Sequence, residues 1–319
     1  LRNQTIIPKT FTLLWASIFD TYLGYLSVMN DIFDGSVHDM KQRSKGSTAI
    51  RRQAIIGLRN AFQQHRPDVA IDENGYVDSN TDNLLPHVAV SDFEADLTAG
   101  DGNELATKFR AVHSSSALAV NCFAPFRTRI EELVMPFGGP FHELQFERKC
   151  PTGLRGGKSP NLDVLLSGPN DVIGIESKLT EYLGGHRARF SPAYAAQICD
   201  ERQEQGYFQE MLRLQEEPES YVWLDAAQLI KHAFGLANTF RDRKVTLLYL
   251  YWEPSDTICH HAFGEHSDEI ARFAQRVAGS TPAFSAMSYT QLWSRWRNNQ
   301  IEWLSKHVAH LECRYRIQL

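Results

Sequence analysis

Asp163, Glu176 and Lys178 are the residues whose types and spacing most directly suggest chemistry. They lie on two short apolar runs, Asn161 to Leu166 and Val172 to Leu179, separated by Ser-Gly-Pro-Asn-Asp. That pattern predicts a β-hairpin. Residues two apart on a strand share a face, so Glu176 and Lys178 project together, away from Ile173, Ile175 and Leu179. A hairpin symmetric about Pro169-Asn170 sets Asp163 opposite Glu176 with Cβ atoms about 5 Å apart. Pro169 does not suit the primed two-residue turns, which leaves a one-residue shift of register open. Two carboxylates opposed on an apolar hairpin repel each other and are costly to bury, unless a divalent cation neutralises them. Such a cation would polarise a phosphate and acidify water, while a nearby lysine orients that water or stabilises developing charge. Carboxylate oxygens suit magnesium or manganese better than zinc. Gly174, on the same face, is expected to leave room for a substrate.

Asp163 follows Pro160-Asn-Leu, and Glu176-Ser-Lys178 comes thirteen positions after it within Val-Ile-Gly-Ile-Glu-Ser-Lys. This arrangement resembles the PD-(D/E)xK nuclease superfamily, the restriction-endonuclease-like proteins. His113-Ser-Ser-Ser-Ala, Phe146-Glu147 and Gln228-Leu-Ile-Lys231-His232 are similar to segments of a bacterial group of proposed restriction endonucleases. The resemblance covers roughly Ala111 to Trp252. It implies a core sheet flanked by helices, with Asp163 and Glu176 as metal ligands, the Ser177 carbonyl as a third and Lys178 as the catalytic lysine. Leu162, rather than proline, directly precedes Asp163, which is common variation. Many members also carry a glutamate on the first core helix, but Ser115 to Phe126 holds no acid. Glu147 is the candidate to replace it in the catalytic set, with Glu143 the weaker one; an ordinary strand-edge charge is the competing reading of Glu147. Glu-x-Lys alone arises by chance in a chain of this size, so its weight comes from the hairpin and the opposed aspartate.

The elements that must position these groups are legible in outline. A strand is expected at His142 to Cys150 and another at Lys244 to Trp252, whose Val-Thr-Leu-Leu-Tyr-Leu-Tyr run reads as buried. Helices are expected near Ser115 to Phe126, Thr128 to Val134, Ala193 to Gln215, Leu224 to Ala237, Asp268 to Val277, Tyr289 to Arg297 and Glu302 to His310. The whole reads as an α/β fold, a restriction-endonuclease-like core with a central mixed β-sheet flanked by helices. Residues 1–104 form an N-terminal helical region ending in an acidic irregular segment from Pro67 to Glu104. Residues 105–319 form the nuclease-like domain with its C-terminal helices.

Candidate substrate contacts are basic or polar. Arg155 and Lys158 sit in a Gly-rich loop, and Gln228, Lys231 and His232 fall at i, i+3 and i+4 on one helix face. That face points at the site or simply into solvent. Lys41 to Arg59 carries Lys41, Arg43, Lys45, Arg51, Arg52 and Arg59 with no acid, either a solvated helix face or a phosphate-contact surface. Glu181 reads as structural. Asp72, Asn74 and Asp78 lack the later positions of a calcium loop, and His260, His261 and His266 read as loop histidines rather than a zinc site.

Composition limits the alternatives. The 319 residues are 43% hydrophobic and 22% charged, which is ordinary globular usage. The net charge of -5 argues against holding nucleic acid by bulk charge, so local basic segments or metal must do it. Five scattered cysteines with no C-x-x-C pair indicate neither a disulfide framework nor a cysteine zinc site. Phe11 to Met29, interrupted by Asp20, reads as a buried helix; no membrane span or signal peptide is expected, and a cytoplasmic location is the default. The expected activity is a magnesium- or manganese-dependent endonuclease acting on nucleic acid, DNA ahead of RNA, in restriction or defence. A catalytically silent nucleic-acid or protein-binding module on the same fold, an RNA endonuclease and a homo-oligomeric state all stay open.

Overall fold

Five strands carry the site: β1 (Glu143–Lys149), β2 (Asn161–Ser167), β3 (Asp171–Lys178), β4 (Lys244–Tyr251) and β5 (Ala283–Ser288), in the order β1-β2-β3-β4-β5. They belong to a computed structural model that describes residues 47–100, 105, 107–154, 159–195 and 205–319. The expectations for Phe11 to Met29 and for Lys41, Arg43, Lys45, Arg155 and Lys158 lie outside those residues. Strands β1, β2 and β3 are antiparallel, whereas β3, β4 and β5 run parallel. This is the mixed sheet expected of a restriction-endonuclease-like α/β fold. Val164 pairs with Ile175 and Leu166 with Ile173, which is the register of a hairpin symmetric about Pro169-Asn170.

The helices cover both faces. They are α1 (47–65), α2 (Glu94–Ala99), α3 (Ser115–Phe123), α4 (Gly206–Glu216), α5 (Ala226–Thr239), α6 (His261–Arg276), α7 (Tyr289–Arg297) and α8 (Glu302–Tyr315). Ile173, Ile175, Leu248 and Leu250 face a core shared with α1, α3, α7 and α8. Leu165, Val172, Leu247 and Tyr249 face a second core built by α4, α5 and α6. Strands buried on both sides read as near-continuous apolar runs, which is why β3 and β4 were so visible in the sequence. Residues Thr48–Leu319 form one compact unit, and no described helix is long and apolar enough to cross a membrane.

Several elements differ from expectation. Thr128 to Val134 is not an α-helix but belongs to two 3-10 turns, Ala124–Thr128 and Ile130–Glu132, the first of them entered through Pro125. Strand β5 has the sequence Ala-Phe-Ser-Ala-Met-Ser, with no β-branched residue to advertise it. Helix α6 starts seven residues before Asp268, so the histidines are not in a loop. His260 is its N-cap residue, His261 opens it, and His266 is buried against Tyr182 and bonded to the Tyr249 hydroxyl. In the acidic segment, Asp72 turns its carboxylate on its own backbone, accepting the N–H groups of Asn74 and Tyr76.

Candidate active site

The hairpin ladder pairs Val164 with Ile175, and just beyond that pair a side chain takes over. Asp163 Oδ2 accepts the main-chain N–H of Ser177 at 2.6 Å, fastening the first carboxylate to the strand that carries the second. The Ser177 hydroxyl turns to the opposite layer, 2.6 Å from the Tyr289 hydroxyl. Glu176 and Lys178 do share a face: Lys178 Nζ lies 2.6 Å from Glu176 Oε1. Their side chains are only 3% and 12% exposed, so this is a buried pair and not a surface salt bridge.

Helix α5 brings the partners of that pair. Asp225 caps its N-terminus by accepting the Gln228 N–H, and one turn spaces Gln228 and His232 on one face. Gln228 Oε1 accepts from Lys178 Nζ at 2.8 Å, and His232 Nε2 lies 2.8 Å from Glu176 Oε2. Each carboxylate oxygen of Glu176 therefore has a basic partner, Lys178 on Oε1 and His232 on Oε2. Lys231 leaves this face and lies over the Phe190 ring. Gly174 gives no room to substrate: a Cβ there would sit 2.8 Å from Leu162 Cδ1 and from Leu236 Cδ1, so its face is filled by α5.

Asp163, Glu176, Ser177, Lys178 and Gln228 line a cavity of about 430 Å³, whereas Lys231 and His232 are not in its lining. Glu147, on β1 with a left-handed φ of 47°, adds a further carboxylate whose charge reaches Asp163. Arg51, Lys108, His113 and the N-terminal serines of α3 also belong to the lining. Glu143 is exposed and bonded to Gln145, away from the cavity lining. Glu181 accepts the N–H groups of Leu179, Thr180 and Ser115, tying the end of β3 to the start of α3, a structural role.

The electrostatics separate the two carboxylates. Burial, then the charges of Glu176 and Glu147, push the Asp163 carboxyl well above the ordinary aspartate range. Burial also raises Glu176, but Lys178 and His232 overcome it and hold the carboxyl at about 2. For Lys178, burial disfavours the ammonium ion, and Glu176 and Asp163 more than restore it. Among the described residues no three His, Cys, Asp or Glu side chains are grouped to hold a metal ion unaided. The set expected from the sequence, Asp163, Glu176 and the Ser177 carbonyl, is two carboxylates and a carbonyl. Oxygen donors and an aspartate burdened by like charge fit a hard divalent cation.

Residues 57–316, from within α1 to just past α8, match the family model described as Restriction Endonuclease associating with ARP. The chain belongs to that family. No curated protein and no solved structure matches it. The match takes in the whole β-sheet and every lining residue of the cavity except Arg51. Sequence reasoning had missed Arg51, Tyr76, Lys108, His113 and Asn161 as cavity residues. Only the basic stripe and the quoted His113-Ser-Ser-Ser run offered a signal, since the others arrive through irregular chain or a strand end.

Proposed function

We propose that this member of the family is a magnesium- or manganese-dependent endonuclease that hydrolyses phosphodiester bonds of DNA, in restriction or defence. One observation carries the reading: Asp163, Glu176 and Lys178 converge on one cavity, with Lys178 Nζ held between Glu176 and Gln228. Asp163 and Glu176, with the Ser177 carbonyl, would hold the cation. When bound, it would supply polarisation of the phosphate and a more acidic water. Lys178 keeps its proton and presents an ammonium group where negative charge grows on the phosphate, preorganised by two fixed partners. Glu147, in the lining of the same cavity, would orient water.

The test is direct. Purified protein is incubated with supercoiled DNA and with RNA, with magnesium, with manganese and with chelator. Metal-dependent nicking of DNA supports the proposal, and preferential RNA cleavage moves the substrate to RNA. Binding of DNA without cleavage under any metal condition would make the chain a silent module.

A further inference from the structure

A second groove, of about 880 Å³, runs along α1 and meets the catalytic cavity. The two share Arg51, Tyr76 and His113 in their linings. Arg52 and Arg59 continue the positive charge outward from Arg51, while Ile55 and Ile56 offer aliphatic surface beside them. Glu73 is the one acid in this lining, and it meets Arg59 through its main-chain carbonyl, which accepts from Nη1 at 3.0 Å. Among the described residues no carboxylate forms an ion pair with Arg51, Arg52 or Arg59. At the junction Arg51 Nε and His113 Nδ1 are buried without a hydrogen-bond partner. Arg51 Nε can only donate, and a buried unpaired donor is costly; an anionic oxygen is the ligand that relieves it.

Resting on the nuclease reading, we infer that this groove holds the sugar-phosphate backbone of the DNA strand on one side of the scissile phosphate, Arg51 receiving the phosphate nearest the cavity. Arg52 and Arg59 are seven residues apart, roughly 10 Å along the helix axis. At 3.4 Å per nucleotide that span covers about three steps of a strand. With the arginines on phosphates and the aliphatic side chains against sugars, the groove contributes affinity and register without sequence preference, because contacts to the backbone carry no base identity. This explains how a chain of net charge -5 grips a polyanion: the positive charge is concentrated where the strand enters.

The experiment measures binding of a short fluorescein-labelled DNA duplex by anisotropy over a salt series in chelator, where no cleavage occurs. The variants are R52Q/R59Q, R52Q alone, and K306Q/R316Q, which removes the same charge from exposed positions on α8 and at its C-cap. Arg52 makes no side-chain hydrogen bond to another described residue, so R52Q guards against a folding defect. The double groove variant should reduce the slope of log affinity against log salt by about 1.8 and R52Q by about half that. K306Q/R316Q should follow wild type. Wild-type slope and affinity in R52Q/R59Q, an equal loss in K306Q/R316Q, or no duplex binding by wild type would each overturn the inference. Cleavage assays on the same proteins keep the two readings apart. A wild type that cleaves with R52Q/R59Q unchanged sinks the groove alone, whereas flattened binding with no cleavage in any metal sinks the nuclease reading alone.

Discussion

Asp163 and Ser177 are joined across the hairpin by a side chain rather than by the main-chain ladder, the Asp163 carboxylate accepting the Ser177 N–H at 2.6 Å. This one bond fixes where the first carboxylate stands relative to Glu176 and Lys178 on either side of Ser177. Burial and two neighbouring glutamates oppose a negative charge on that carboxyl.

The first prediction concerns that charge. Asp163 titrates higher in the folded chain, so its contribution to stability is present below the unfolded aspartate pKa, near 3.9, and is lost as pH rises through the folded value. At neutral pH without metal, Asp163→Asn should therefore melt no lower than wild type, because the amide oxygen still accepts the Ser177 N–H. Manganese should raise the melting temperature of wild type by favouring the folded state. The double change Asp163→Asn with Glu176→Gln should abolish that rise. A metal response that survives the double change would place the cation elsewhere.

A second prediction follows from burial of the Lys178–Glu176 pair. On an exposed strand face, Lys178→Ala would cost at most about 1 kcal/mol of stability. Here it strands a buried carboxylate with His232 as its remaining partner, and about 3–5 kcal/mol is expected in metal-free urea denaturation. Lys178→Met combined with Glu176→Gln should cost clearly less than the two single changes together. Strict additivity would mean that the pair is not coupled.

Much of this was legible in the sequence. The symmetric hairpin and the shared face of Glu176 and Lys178 follow from a period of two, and the common face of Gln228 and His232 from one helical turn; that this face meets the site rather than solvent, and that the register is unshifted, are settled by packing. What stayed hidden depended on tertiary packing. Gly174 looked like space because sequence shows only a missing side chain; Leu162 and Leu236 fill that space. His266 looked like a loop residue because Gly264 and polar neighbours disguise the first turns of α6, whose apolar face shows only from the buried side. Tyr76 and Lys108 reach the cavity through irregular chain, for which no periodicity exists to read.

The third prediction tests that packing. Gly174→Ala places a methyl group 2.8 Å from two leucine methyls, and overpacking of this kind costs about 1–3 kcal/mol. Adding Leu236→Ala should recover part of the loss beyond what each change predicts alone. Full wild-type stability of Gly174→Ala in chemical denaturation would contradict the close contact.

Far from the hairpin, His307 sets a pH limit. Its Nε2 contacts the Cys122 carbonyl, which can only accept, so Nε2 carries the proton and Nδ1 accepts from His87 Nε2. A second proton on His307 has no acceptor there, and burial lowers its pKa to about 4, aided by the charges of His87 and His310. The folded value lies below the unfolded one near 6.5, so the stability is complete above that pH and is lost as pH falls from about 6.5 to about 4. The full loss is about 3 kcal/mol. His307→Gln should flatten the stability-versus-pH curve in this window, and an unchanged slope would show that His307 does not titrate there.

The central claim is that Glu176, held ionised between Lys178 and His232, belongs to a metal-dependent nuclease site. Its most direct test is single-turnover cleavage of supercoiled DNA in manganese by wild type and by Glu176→Gln, purified in parallel and matched in folded fraction. The account predicts nicking by wild type and a loss of at least about a hundredfold in the variant, the scale on which one preorganised electrostatic group acts. Equal rates for the two proteins would contradict it.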